Sequence, residues 1–480
     1  MFLQNLDDLD SIIQPILRAG RIPGAAISVV NHDRMVFAKG YGYRDVEASL
    51  AVTSDSVYPI ASTTKAMNAT LIGMLVDEGK LAWDTPVQEY LPRFRLGDAL
   101  ISSQVTLRDL LAMRTGLPRH DWLWVEHAID RANLVERLRY LELSAGFREK
   151  FQYNNMTSTT AGYISEVVTG KRWEVLAQER LLGPLGMSHT TFKLPATDNV
   201  TRSYHENSHR EVVLTKRLAG EVTAPSGGAI HSTVEDMARW LMFNLSGGRA
   251  PEGQLIEPKT LKELQSPQWA ARTDASCPSP NATYAMGWYV DTYNGRNRLL
   301  HGGYLHDVSS EVSLFPDDAI GIVSFTNFGP PGLARTINQS VFDALMGFKP
   351  VQSVEDKLAE YERKIRETLE RNAAVRRVPN TSPSHLLADY AGVYKHRGYG
   401  DIEIQCNVQE LVLRRGALEV GLQHWHYDAW IAKDTGMFPL HTPHAFDPAS
   451  RLLFETSADG EITAVSIRLE PTVSPIRFEK

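Results

Sequence analysis

Cysteine is nearly absent from this chain of 480 residues, which carries only Cys277 and Cys406, far apart in sequence. That excludes a disulfide framework and fits a reducing compartment. An excess of positive charge is missing too. With a net charge of -7, no broad basic surface is available for nucleic acid, and no such partner is expected. The basic residues gathered between Arg371 and Arg377 have Glu367 and Glu370 beside them and read as a solvated helix face. Long apolar runs are also lacking: none approaches the roughly 18 to 20 residues that span a bilayer. The N-terminus, Met1 to Asp10, has neither the basic segment nor the apolar core of a secretion signal. A cytoplasmic protein without a membrane partner is therefore expected. No His-Glu-x-x-His and no clustered cysteines occur, so neither a metal nor a cofactor is expected.

What is present is a globular composition, 43% hydrophobic and 22% charged, in a chain long enough for two or three structural units. Apolar residues recur at helical spacing from Leu6 to Leu17. Gly24–Val30 and Met35–Lys39 flank Asn31-His32-Asp33 as a β-hairpin. Ser62 to Gly79 is one helical pattern, with Gly79 as its stop. A mostly helical stretch is expected over 105–250. Strand-like runs return at Tyr284–Tyr293, Arg298–His301, Ser309–Phe315 and Ala319–Phe325, and a helix at Leu333–Met346. Strands early and late with helices between them predict an α+β unit, an antiparallel sheet closed by strands from both ends and flanked by helices plus a helical lobe, over residues 1–348. Residues 349–384 predict a connecting helix, Val354–Ala373, and a Pro/Ser/Asn linker. Over 385–480, short alternating runs (Gly400–Gln405, Glu410–Arg414, Leu418–Leu422, Ala429–Ile431, Leu452–Glu455 and Thr463–Arg468) predict a small antiparallel barrel. His424-Trp-His426 reads as part of a half-buried strand.

The chemistry-bearing residues begin with Ala61-Ser62-Thr63-Thr64-Lys65 at a predicted helix start. A serine hydroxyl attacks poorly until a base takes its proton, and a lysine amine of depressed pKa can be that base. Three positions apart, Ser62 and Lys65 share a helix face. The helix N-terminus also offers backbone N–H groups to a developing oxyanion. Tyr153-Asn154-Asn155 follows in a polar, turn-prone stretch, where Tyr153 can shuttle protons and Asn155 can bind a substrate amide. His301-Gly302-Gly303-Tyr304 lies on a predicted strand, whose glycines permit close approach of a ligand or backbone.

Ser-x-x-Lys, Tyr-x-Asn about ninety residues on and His-x-Gly about 150 further resembles the motif order of the serine β-lactamase and penicillin-binding-protein superfamily. The Tyr-x-Asn and His-x-Gly variants resemble its branch of class C-like esterases, D-aminopeptidases, transacylases and peptide-cyclising thioesterases. Arg114-Thr-Gly-Leu-Pro118, Gly183-Pro-Leu-Gly-Met187 and Ser226-Gly-Gly228 add local matches. The resemblance implies that Ser62 is acylated, Lys65 is its general base and Tyr153 relays protons. It implies further that Asn155, His301 and Gly303 bind substrate, and that the backbone N–H groups of Ser62 and Tyr304 form the oxyanion hole. The His301 position is Lys in most β-lactamases, which weakens the expectation of β-lactam hydrolysis. Ala145 to Phe151 lacks the Pro-Gly pair frequent in related esterases, implying a different pocket rim. The C-terminal unit resembles the lipocalin-like barrel of D-aminopeptidases and relatives, through Tyr390-Ala-Gly-Val-Tyr394 and Gly398-Tyr-Gly400. The implied activity is hydrolysis or transfer of acyl groups from a small-molecule, peptide or ester substrate, with small amides or peptides leading and D-amino-acid specificity as one form of that reading. Esterase, transacylase or macrocyclising thioesterase activity and a non-catalytic scaffold are the alternatives. Nothing in the sequence indicates an oligomer.

Overall fold

Strands from the beginning and the end of the first 346 residues pair at the centre of one sheet. The computed structural model describes residues 6, 8–124, 129–195, 197–207, 209–215, 230–271, 277–329, 332–373, 376–407, 410–416, 418–433 and 450–480. The nine-stranded sheet uses β1 (Gly24–Asn31), β2 (Arg34–Asp45), β3 (Leu50–Ala51), β4 (Trp269–Ala270), β5 (Thr283–Tyr284), β6 (Tyr289–Tyr293), β7 (Arg296–Leu305), β8 (Val308–Phe315) and β9 (Ile320–Thr326), in the order 4-5-6-7-8-9-1-2-3. All neighbouring pairs along it are antiparallel. β8 and β9 are buried throughout and β1 nearly so, as expected of strands covered on both faces.

The two faces separate by the two-residue period of a strand. Ala26, Val30, Val323 and Phe325 join the core shared with α4 (Val234–Leu245). Ala25, Ile27, Val29 and Ile322 join the core beneath α1 (Leu9–Ala19) and α5 (Leu333–Met346). A helical lobe is built around α2 (Thr64–Asp77), buried from Thr64 through Leu75, and α3 (Asn155–Thr169) packed beside it.

Two expectations need correcting. Residues 105–250 are not helical throughout: from Gly183 to Ser232 the described residues contain no α-helix. They form short β-pairs instead, Tyr204–Glu206 with Val212–Leu214 and His231–Ser232 with Tyr58–Pro59. Pro184 and the left-handed Gly186 (φ +69°) end the helical run there. Tyr284–Tyr293 is likewise two strands rather than one. Gly287, at φ +88°, turns the chain between them against the first turn of α2; a Cβ on it would sit 2.8 Å from the Lys65 carbonyl oxygen. Only glycine permits that approach.

After α6 (Val354–Ala373), eight strands close a barrel: β10 (Gly392–His396), β11 (Gly400–Cys406), β12 (Leu411–Arg415), β13 (Leu418–His426), β14 (Ala429–Ala432), β15 (Arg451–Thr456), β16 (Ile462–Ile467) and β17 (Ile476–Glu479). The first and last of these lie outside the six predicted runs, and their pairing, Lys395 with Glu479, closes the ring. His424, Trp425 and His426 lie at the end of β13, partly buried, with Arg377 Nε donating to the Trp425 carbonyl at 2.6 Å. The Cys277 thiol donates to the Ser279 carbonyl at 2.9 Å and the Cys406 thiol to the Asn407 carbonyl at 3.3 Å. Among the described residues no helix is long and apolar enough to cross a membrane.

Candidate active site

The turn that carries Ser62 is held from three sides. The Ile60 carbonyl accepts from Thr63 Oγ1 and from Ser310 Oγ of β8, both at 2.8 Å, while Ile60 N donates to Ile230 at 2.9 Å. Ala61 sits at φ +48°, a left-handed conformation that costs a non-glycine residue about 1–3 kcal/mol and persists only where its surroundings enforce it. Ser62 then lies in the 3-10 turn Ala61–Thr63 that leads into α2, partly exposed while its neighbours are buried. Against this turn runs β7. Its pairing with β6 ends at Tyr289–Leu300, so His301 to Leu305 continue past that neighbour and pack against the Ser62 turn. Gly303 makes the approach possible, since a Cβ there would come within 2.6 Å of the Ile60 carbonyl oxygen and 2.9 Å of Ala61 Cβ.

One helical turn beyond Ser62, the Lys65 side chain is 1% exposed and its Nζ lies 3.0 Å from Ser62 Oγ. Burial, and then the charge of Arg119, hold the Lys65 pKa well below that of an ordinary lysine, with Asp121 opposing. The amine donates to Asn155 Oδ1 at 2.7 Å and lies 4.8 Å from the centre of the Tyr153 ring. Tyr153 is fixed by its flanks: Gln152 N donates to the Met113 carbonyl at 2.9 Å, and Asn154 caps α3 by accepting from Thr157 N. The Asn155 amide is engaged at both ends, because its Nδ2 donates to Asp121 Oδ1 at 2.9 Å. Ser62, Lys65, Tyr153, Asn155, His301 and Gly303 are thus brought together around one turn.

His301 is buried among aromatic rings, 6.2 Å from Tyr153 and 5.5 Å from Tyr289 between centroids. Its Nδ1 lies 2.7 Å from the Gly302 carbonyl, which only accepts, so Nδ1 carries the proton and Nε2 accepts from Tyr284 OH at 3.3 Å. Burial, with Lys65 adding to it, pushes the imidazole pKa down to about 3. The ring is neutral and cannot bind a carboxylate as a cation. Tyr304 follows on the same strand, its hydroxyl donating to Asp307.

A family profile described as Beta-lactamase matches residues 9–346. The chain belongs to the β-lactamase family. Residues 376–480 match a second profile, a domain of unknown function termed DUF3471. The chain is 27% identical to "Unguisins hydrolase ungD'" of Aspergillus campestris over 83% of its own length and 77% of the relative's. It is 31% identical to "Protein flp" of Staphylococcus aureus over 69% of its length and 66% of that protein's. The octameric penicillin-binding protein homologue from Pyrococcus abyssi shares the fold over 99% of both chains, with a TM-score of 0.64 at 21% identity.

Of the local matches, Ser226–Gly228 lies outside the described residues. Arg114–Pro118 forms a turn around Gly116 at φ +89°, anchored where Arg114 and Arg148 both pair with the fully buried carboxylate of Asp109. The residues just after it were missed by sequence reasoning. Arg119 stacks 4.8 Å from the Tyr153 ring centre and donates from Nε to Asp121 Oδ2 at 2.7 Å, while Trp124 Nε1 donates to Asp121 Oδ1 at 2.9 Å. Their signal was an arginine, a histidine and an aspartate set among tryptophans directly after a motif already singled out.

Proposed function

We propose that the protein is a serine hydrolase that cleaves small amide or peptide substrates through an acyl-Ser62 intermediate. The observation that carries this is the 3.0 Å approach of a buried, deprotonation-prone Lys65 amine to the one partly exposed hydroxyl at the head of α2. Neutral Lys65 takes the proton as Ser62 Oγ bonds to the substrate carbonyl carbon. Charge then develops on the carbonyl oxygen, toward the backbone N–H groups of Ser62 and Tyr304; losing one such donor costs about 2.7–4 kcal/mol of transition-state stabilisation. Tyr153 carries the proton from Lys65 to the departing nitrogen, the C–N bond breaks, and acyl-Ser62 remains. Water adds to that ester as its proton passes through Tyr153 to Lys65; the bond between the acyl carbon and Ser62 Oγ then breaks, Lys65 returns the proton to Oγ, and the carboxylic acid leaves. Asn155, bonded to the Lys65 amine at 2.7 Å, orients the base and binds the acyl amide of the substrate. Similarity to proteins named hydrolases supports the reaction class.

The substrate class is tested with a panel of D- and L-aminoacyl amides, short esters and a chromogenic β-lactam, with mass spectrometry of trapped acyl-enzyme. Amide cleavage with an adduct on Ser62, absent in Ser62→Ala, is the expected result. An adduct that forms only with esters and passes to an added amine would make the protein a transacylase instead.

A further inference from the structure

The loop that touches the catalytic groups on one side is gripped by the barrel on the other. His120 lies between Arg119 and Asp121 at φ +44°, fully buried. Its Nε2 is 2.8 Å from the Glu142 carbonyl, which can only accept, so Nε2 carries the proton. Burial lowers the His120 pKa and keeps the ring neutral. Nδ1 is therefore an acceptor, and Tyr399 OH donates to it at 2.7 Å. The His120 backbone N–H donates to Glu470 Oε2 at 3.1 Å, and Arg415 lies 4.9 Å over the Trp122 ring while donating to the Tyr399 carbonyl at 2.9 Å. Tyr399 lies in the β10–β11 turn, Arg415 at the end of β12 and Glu470 between β16 and β17. In an antiparallel barrel those three connections share one rim.

We propose that this rim of the barrel is a working part of the catalytic centre: by gripping His120 it holds Arg119 against Tyr153 and Asp121 against Asn155, and so positions Lys65. The inference rests on the acyl-Ser62 reading. Arg119, His120 and Asp121 are positioning residues, none of them a nucleophile or base. The groups facing the Lys65 amine are Ser62 on its own turn, Asn155 on α3, Tyr153 before α3, the neutral His301 on β7, and Arg119 and Asp121. Of these, Arg119 and Asp121 carry opposite charges and act on the lysine in opposite senses. Arg119 disfavours its protonated form, and Asp121 favours it.

The experiment measures the rate at which a fluorophosphonate labels Ser62 in the full-length protein, as a function of pH, together with thermal melting. Tyr399→Phe combined with Glu470→Gln keeps the side-chain volumes and weakens the grip on His120, removing the hydroxyl from Nδ1 and the charge that accepts from the His120 N–H and from Thr472. Measured well below its melting temperature, it should label about tenfold more slowly. Should the pair melt early, each single variant carries the same expectation at about threefold. Arg119→Gln should move the acid limb of the labelling profile to higher pH, and Asp121→Asn should move it to lower pH. Wild-type rate and profile in the barrel variants would overturn the proposal, as would limbs shifted the same way by both loop variants. If the wild-type protein is not labelled on Ser62 at all, the acyl-enzyme reading itself falls and takes this inference with it.

Discussion

At the scale of single residues, the site separates two groups that could each have served as the base. Lys65 and His301 are both buried, and burial favours the neutral form of each. With its pKa down at about 3, His301 is neutral from about pH 5 upward, so it adds no limb to a pH profile there. Lys65 does. As the proposed base it works in its neutral form, and because its pKa lies well below the ordinary lysine value, that form persists to lower pH than in a free lysine and is lost as pH falls through the depressed pKa. Labelling of Ser62 between about pH 5 and 10 should therefore rise along a single limb. Lys65→Met should slow labelling by about 10²–10⁴-fold and flatten that limb. A limb that survives in Lys65→Met would assign the titration to another group.

At the scale of elements, the helix that carries Lys65 is placed by a close approach that composition does not display. Gly287 and Gly79 both adopt left-handed backbone, at φ +88° and +69°, yet a Cβ at Gly79 meets nothing within 4 Å while one at Gly287 meets the backbone of Lys65 and Ala66. Gly79→Ala should cost about 1 kcal/mol in stability through strain alone and leave Ser62 labelling unchanged. Gly287→Ala should cost more, about 1–3 kcal/mol, and slow labelling by pushing the first turn of α2 off the Tyr153 segment. Melting temperature and labelling rate measured together check both, and equal labelling in the two variants would show that Gly287 does not place the helix. The same contrast explains what could be read from the chain in advance. α5 and α6 were legible to the residue, because amphipathic periodicity and, for α5, the terminal Gly347 are local signals. Ser62, Lys65, Tyr153, Asn155 and Gly303 were legible because their motifs are short and ordered. The break at Gly287 and the strands β10 and β17 were not, since each depends on a partner distant in sequence. Arg119 and Asp121 escaped for the same reason: what gives them meaning is the packing of α2 and α3 against their loop.

At the scale of the whole molecule, the barrel is joined to the sheet-bearing unit by more than a tether. Their buried apolar side chains form one continuous cluster, which runs from Trp122, Leu123 and Leu141 into Tyr394, Tyr399 and Phe478. Around it, Arg397 stacks 4.1 Å over Tyr140 and donates to its hydroxyl at 2.7 Å. Arg415, His120 and Glu470 are each no more than 5% exposed. If the barrel left first, these polar groups would lose their partners at the same moment as the apolar contact, at a cost of about 1–3 kcal/mol for each one left buried and unsatisfied. Interfaces between domains are usually small and polar enough to let the parts move and melt independently; this one has the burial of a core. Calorimetry of the full-length protein should accordingly give one endotherm for both units. Arg415→Ala, which removes the guanidinium from Trp122 and from the Tyr399 carbonyl, should lower the midpoint and begin to resolve a second transition. Two separate endotherms in the wild-type protein would mean that the barrel folds on its own account, and the shared core would then be a contact rather than a cooperative unit.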